Sequence, residues 1–446
     1  MGKLAEAIAK RDLGIWPEES IAKDFLGWLR YAELTHEEIE SQISLANSVD
    51  STHIIYVGMG GSSLGAMMLE EFNRALGTPN GRRVTFVDST HPHLIASLDL
   101  TDTTVVLASK SGTTTEVDSV FAHLWDRMRK PANYIVLSDP DTPLARLARE
   151  RAITRIVETP KDVGGRYSVL TPFGTTLGAL VGFDLFGLFS GAQAVDWDAA
   201  EHRAEEIFAR YVQGADKLGL QGNAQTGRIP MWLEQLIAES LGKSGKGIVP
   251  VPFDLDTDQS DRQLVEVAPT NPSALGSLIF GWELTTAMLG SLMEIDPFNQ
   301  PDVQAAKNAT KTILDQRRAS TPLTGDRNDA IEFALKHATP EDYIAVMAFV
   351  DPTDERQILA DLVGELAPLR PHAITYGIGP RFLHSTGQLH KGGANALVAL
   401  QLVDETKEEV PIPGQEYGFR ELFAAQSLGD FQALQAKARR VIRVNA

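Results

Sequence analysis

The 446-residue chain contains no cysteine. That excludes a disulfide framework, a thiol nucleophile and any cysteine-bound metal. It also lacks a run of about 18 apolar residues, so no membrane-spanning helix is expected. Positive charge is scarce: Lys and Arg number 41 against 59 Asp and Glu, a net charge of −18. Such a surface is unsuited to nucleic acid or anionic membrane, and an anionic substrate must be caught by a local positive site. The opening Met1-Gly-Lys-Leu-Ala-Glu-Ala-Ile-Ala-Lys-Arg11 is too charged for a secretory signal, so a cytoplasmic location is the expectation. What remains is ordinary for a globular protein, with 43% hydrophobic and 22% charged residues and enough length for two or three domains.

The hydrophobic pattern predicts an α/β fold. Residues 1–48 read as a helical segment, with Trp28, Leu29, Tyr31 and Leu34 at helical spacing. Short β-branched runs then alternate with helical patterns. Strands are expected at His53–Val57, Val84–Asp88, Thr104–Ala108 and Tyr134–Leu137, and helices from Leu64 and over Val117–Met128. Residues 175–220 read as mainly helical. A second α/β region offers strands at Gly247–Val251, Tyr343–Phe349, Ala373–Tyr376 and Ala396–Val403. Gln316–Asn328 reads as a polar surface loop, and the tail from Gly418 to Arg443 reads as helical. Apolar strands alternating with helices imply parallel sheets covered on both faces. The expected division is a helical segment at 1–48 and two doubly wound units at 49–225 and 226–446.

Two turns stand out. Gly58-Met-Gly-Gly-Ser-Ser63 follows a strand and opens a helix, where glycines let backbone approach a ligand and helical N–H groups face an anion. A tight βα connection is the plain alternative. A dinucleotide fingerprint is another, kept open by Asp88, but its third glycine would fall on Ser63. The second turn, Ser109-Lys-Ser-Gly-Thr-Thr-Thr115, packs five hydroxyls and one lysine after another strand. Hydroxyls and adjacent amides make an anion nest. The candidate phosphate-binding residues are Gly60, Gly61, Ser62, Ser109, Lys110, Ser111, Thr113 and Thr114. No phosphate-loop motif of the ATP-binding type is present. Finally, Glu239 stands where a helical pattern runs out into the loop Gly242-Lys-Ser-Gly-Lys-Gly247. By itself that is an ordinary solvated glutamate; held near a substrate carbon it is a proton carrier.

The paired hydroxyl turns resemble the sugar isomerase (SIS) domain. Asp162-Val-Gly-Gly-Arg-Tyr-Ser-Val-Leu170, Ala238-Glu-Ser-Leu-Gly-Lys243 and Asn299-Gln-Pro-Asp-Val-Gln-Ala-Ala-Lys307 resemble the motifs of glucose-6-phosphate isomerases over residues 50–310. Arg381-Phe-Leu-His-Ser-Thr-Gly-Gln-Leu-His-Lys-Gly-Gly393 is similar to the isomerase half of transaldolase/glucose-6-phosphate isomerase fusions. The resemblance implies two SIS-type domains with additional helices. It also implies reversible conversion of glucose 6-phosphate to fructose 6-phosphate through a cis-enediol, in glycolysis and gluconeogenesis. No cofactor and no metal are expected, and the partner is a sugar phosphate. A homodimer with residues shared across its interface is the family habit. Activity on mannose 6-phosphate as well, or a regulator that binds sugar phosphate without catalysis, are the alternatives.

In this resemblance Glu239 is the base that carries the proton between neighbouring carbons. Arg166, behind Gly164 and Gly165, stabilises the enediolate. Lys307 serves the ring-opening end, and Gln300 and Gly165 contact the substrate. One departure is clear. The family's ring-opening histidine follows the base by roughly 20 residues, yet Phe253–Arg262 holds none. The same words occur downstream as Leu383-His-Ser-Thr-Gly-Gln388, so His384 is assigned that role, with His390 as rival. His91-Pro-His93, the one close histidine pair, falls in an expected loop.

Overall fold

A computed structural model of the chain describes residues 1–223, 226–252, 259–316 and 323–446. The first sheet has five parallel strands: β1 His53–Gly58, β2 Arg83–Val87, β3 Thr103–Ala108, β4 Tyr134–Ser138 and β5 Arg155–Glu158, in the order β2-β1-β3-β4-β5. Central strands β1 and β3 are buried along their whole length, as apolar β-branched runs in a covered parallel sheet should be. Alternate residues divide between the two faces. Ile54 and Tyr56 join one hydrophobic cluster, and Ile55 and Val57 join another.

The later strands form two parallel sheets. β6 Lys217–Gln221 sits between β7 Val249–Val251 and β8 Arg262–Glu266. β9 Tyr343–Phe349, β10 Ala373–Ile378, β11 Leu397–Val403 and β12 Arg440–Asn445 pair in the order β10-β9-β11-β12. β9 repeats the two-faced division, with Tyr343, Ala345, Met347 and Phe349 on one side and Ile344, Val346 and Ala348 on the other. Val249 and Val251 of β7 share a cluster with Ala373 of β10, which sets the two sheets side by side. The architecture is the doubly wound α/β type expected from the pattern.

Four local readings differ. Residues 217–221 are strand, not helix; the ammonium of Lys217 is buried there by ion pairs to Asp216 and Asp261. The tail is helical only over Phe419–Ala436, and Arg440-Val-Ile-Arg-Val-Asn445 pairs alongside β11. His93 lies in a short helix, Pro92–Ala96, so the histidine pair is not simply a loop. In the expected loop Gln316–Asn328, residues 317–322 lie outside the described residues, and Asp326 caps a helix over Arg327–His337. No described helix is long and apolar enough to cross a membrane.

Candidate active site

Because β1 and β3 are neighbours, with Gly58 opposite Ala108, the two hydroxyl-rich turns emerge side by side at the carboxyl edge of the first sheet. That edge is where open parallel sheets hold ligands. Gly60-Gly-Ser62 forms a single 3-10 turn. Gly60 has φ +53°, and a Cβ there would lie 2.3 Å from the carbonyl oxygen of His384. A Cβ on Gly61 would lie 2.2 Å from the carbonyl carbon and oxygen of Gly165. Both glycines therefore admit other site segments, where the sequence suggested room for a ligand. Ser62 is buried, and its carbonyl accepts from the Tyr56 hydroxyl at 2.8 Å.

In the second turn Ser111 and Thr113 are exposed, with hydroxyls 3.0 Å apart. Ser109 is buried and shares a hydrogen bond with the Thr114 hydroxyl at 2.9 Å. Thr114 precedes the helix Thr115–Arg127 without capping it through its side chain, so the positive helix end faces this turn. Lys110 departs from expectation. Its ammonium pairs with Asp139 at 2.7 Å and donates to the Pro160 and Lys161 carbonyls. It braces the turn from behind instead of offering a free charge.

Glu239 lies in the last turn of the helix Ile229–Leu241, which is buried nearly all round. The carboxylate is therefore not the solvated group its sequence context suggested; the residue is 7% exposed. One oxygen pairs with Arg166 Nη1 at 3.0 Å, and the other accepts from the Gln235 amide at 3.1 Å. Arg166, 4% exposed, donates also to the carbonyls of Pro297 and Asn299, at 2.8 and 2.9 Å. Lys243 grips the same segment through the carbonyls of Asp296 and Asn299. Burial, then the charge of Arg166, push the Lys243 ammonium below the usual lysine range. Charge-assisted contacts of this kind fix a guanidinium without spending its whole positive field on one partner.

The Gln235 amide also donates to the His384 carbonyl at 2.8 Å, so one side chain links Glu239 to the histidine turn. His384 ends the 3-10 turn Arg381–His384 that leaves the carboxyl end of β10. Its Nε2 donates to Glu116 Oε1 at 2.9 Å. Burial would raise the Glu116 carboxyl; the charge and hydrogen bond of His384 outweigh that and hold it below the usual range. With Nε2 committed, Nδ1 is the ring nitrogen left for exchange. His390 is a different case. It is buried, bonded through Nδ1 to the Tyr343 hydroxyl at 3.0 Å, and burial pushes it down to about 3. That environment suits a structural histidine.

A cavity of about 480 Å³ is walled by Thr113–Glu116, His384, Lys307 and Gln426, among others. Lys307 is an exposed residue of the helix Val303–Gln316, and its charge helps lower Glu116. Glu239 and Arg166 are not in this wall; they sit one glutamine side chain from the His384 backbone. Gln300 is exposed beside Asn299. The sequence reading missed Glu116, Gln235 and Lys243. Glu116 directly follows the hydroxyl run, which is the signal that was available. His91 and His93 each meet an acid at 3.2 Å, Asp404 and Glu408 respectively, and no metal-holding cluster occurs among the described residues.

A buried ion network ties the two halves near this site. Arg381 meets Asp88 at 2.9 Å and also pairs with Glu355. Arg228 joins Glu355 at 2.7 Å and Glu71 at 3.1 Å. Asp88 thus anchors the histidine turn, which disposes of the nucleotide reading offered for it.

The phosphoglucose isomerase family profile matches residues 36–244, a span that holds both hydroxyl turns, Arg166 and Glu239. The glucose-6-phosphate isomerase of Leptospira biflexa is 26% identical, over 67% of this chain and 88% of the relative. That of Rubrobacter xylanophilus is 31% identical, over 56% of this chain and 65% of the relative. A glucose-6-phosphate isomerase structure from Chlamydia trachomatis shares the fold, with a TM-score of 0.53 over 72% of this chain and 79% of that one at 17% identity. In sequence and in fold the chain is thus similar to the phosphoglucose isomerases.

Proposed function

We propose that this chain interconverts glucose 6-phosphate and fructose 6-phosphate, with Glu239 as the proton carrier. The observation that carries the assignment of roles is the buried Glu239–Arg166 pair, joined through Gln235 to the His384 turn. The phosphate takes the exposed hydroxyls of Ser111 and Thr113 and the positive end of the helix Thr115–Arg127. Its charge is met by Lys307, since Lys110 is engaged with Asp139. Ring opening falls to His384, whose Nε2 is held by Glu116 so that Nδ1 handles the proton at the anomeric end. Glu239 then removes the proton on C2 and returns it to C1. Arg166 stabilises the oxyanion of the enediolate between those steps. Positioned acid–base groups of this kind contribute about 10²–10⁴-fold each.

A coupled assay for fructose 6-phosphate tests the activity, and Glu239→Gln tests the role. The variant should lose exchange of the C2 proton with solvent while still binding a sugar phosphate. Loss of binding instead would make Glu239 structural. A cytoplasmic enzyme and a homodimer, as the resemblance implies, complete the reading; light scattering on the purified chain checks the latter.

A further inference from the structure

Glu116 Oε1 accepts a second hydrogen bond that ring opening by itself does not require. The Gln426 amide, from the helix Phe419–Ala436, donates to it at 2.6 Å. Gln426 Oε1 in turn accepts from the Thr90 hydroxyl at 2.6 Å. Thr90 is fully buried and Gln426 is 4% exposed. An amide has two ways to lie, and they look alike in shape. Here the Glu116 carboxylate can only accept, so the NH₂ side must face it and the oxygen side takes the Thr90 hydroxyl. The flipped amide would set its oxygen against the Glu116 oxygen, two acceptors with no proton between them.

The consequence falls on the histidine. A carboxylate held by a neutral donor keeps its orientation whether or not His384 is protonated. The imidazole therefore finds the same partner in the same place at each stage of its proton cycle. Outer partners of this kind orient a working histidine in other settings as well. The chain Thr90–Gln426–Glu116–His384 draws on four separate elements, and Gln426 is 310 residues from Glu116. We propose that Gln426, braced by the Thr90 hydroxyl, is a positioning residue for the ring-opening dyad, supplied by the helix Phe419–Ala436. This rests on the isomerase reading above.

Gln426→Met keeps the length of the side chain and removes both hydrogen bonds. Two rates separate the roles: turnover of glucose 6-phosphate, and solvent exchange at C2 of an analogue lacking the C4 and C5 hydroxyls, which can close neither a furanose nor a pyranose ring. Loss of a hydrogen bond to a charged group predicts a drop of about tenfold or more in kcat on the cyclic sugar. The open-chain rate should stay within about twofold of the parent. Equal losses on both substrates, a rise in KM alone, or no change would overturn the proposal. Should the variant fold poorly, Thr90→Val, which removes the hydrogen bond that braces the amide, must shift the same ratio in the same direction. A parent protein that fails to isomerise glucose 6-phosphate overturns the isomerase reading and this proposal with it. A parent that turns over, with an unmoved ratio in both variants, overturns only this one.

Discussion

Replacing Gly61 with alanine tests whether the two halves of the site are held by backbone contact. The added Cβ would stand 2.2 Å from the Gly165 carbonyl and 2.8 Å from the Arg166 nitrogen, where ordinary contact begins at 3.4 Å. The segments must part by about 1 Å. Both obstacles are backbone, so no side chain can swing aside. The Gly61 turn is pinned by Tyr56 to the Ser62 carbonyl at 2.8 Å and by Ser168 to the Gly61 carbonyl at 3.1 Å, so Arg166 shares the movement. Overpacking of this sort destabilises by about 1–3 kcal/mol. A misplacement of about 1 Å at a catalytic group lowers the rate by about 10²-fold. The expected result is therefore kcat down about a hundredfold with the melting temperature lowered by only a few degrees. Gly364→Ala, with nothing within 4 Å of the new Cβ, is the control and should leave activity unchanged. Parental kcat in Gly61→Ala would refute the reasoning.

Further substitutions separate chemistry from scaffolding. His384→Ala should lower turnover of the cyclic sugar by about 10²-fold or more while sparing C2 exchange on the open-chain analogue. His390→Ala should instead lower the melting temperature and reduce both rates together, as expected for a buried residue bonded to Tyr343. Asp430→Ala leaves the buried Lys391 ammonium, 2.6 Å from the lost carboxylate, without its ion-pair partner, and should destabilise by about 3–5 kcal/mol in denaturant titration. Burial pushes the Glu234 carboxyl up to about 8. Its contribution is fully present below the unfolded value of about 4.3 and is lost as pH rises through 8, because only the unfolded chain releases the proton over that span. Glu234→Gln should therefore flatten the melting temperature between pH 5 and 8, gaining about 2 kcal/mol or more on the parent at pH 8; a parallel pair of curves would count against it.

The strands that build the cradle were legible because β1 and β3 are nearly unbroken apolar, β-branched runs. β12 was not, since Arg440-Val-Ile-Arg-Val-Asn445 sets its charges three residues apart, a helical spacing, directly behind a helix. β6 hid for a related reason: Lys217 looks like a surface residue until Asp216 and Asp261 are seen around it. In the site, Glu239 and Arg166 were readable from their motifs, but the 3.0 Å pair between them was not. The engagement of Lys110 was not legible because its partner Asp139 lies on the far side of β4 in sequence. Glu116 acquires its meaning only from His384, 268 residues away, and no local pattern carries that information.

The ion network around Arg381 bears on how this protein comes apart. Asp88 and Glu71 belong to the first half of the chain, whereas Arg228, Glu355 and Arg381 belong to the second. If either half unfolded alone, the other would retain buried charges stripped of their partners, a penalty of several kcal/mol. Partial melting is thereby disfavoured. Three separate sheets should lose their structure in one cooperative transition, seen as a single calorimetric peak whose van't Hoff and measured enthalpies agree.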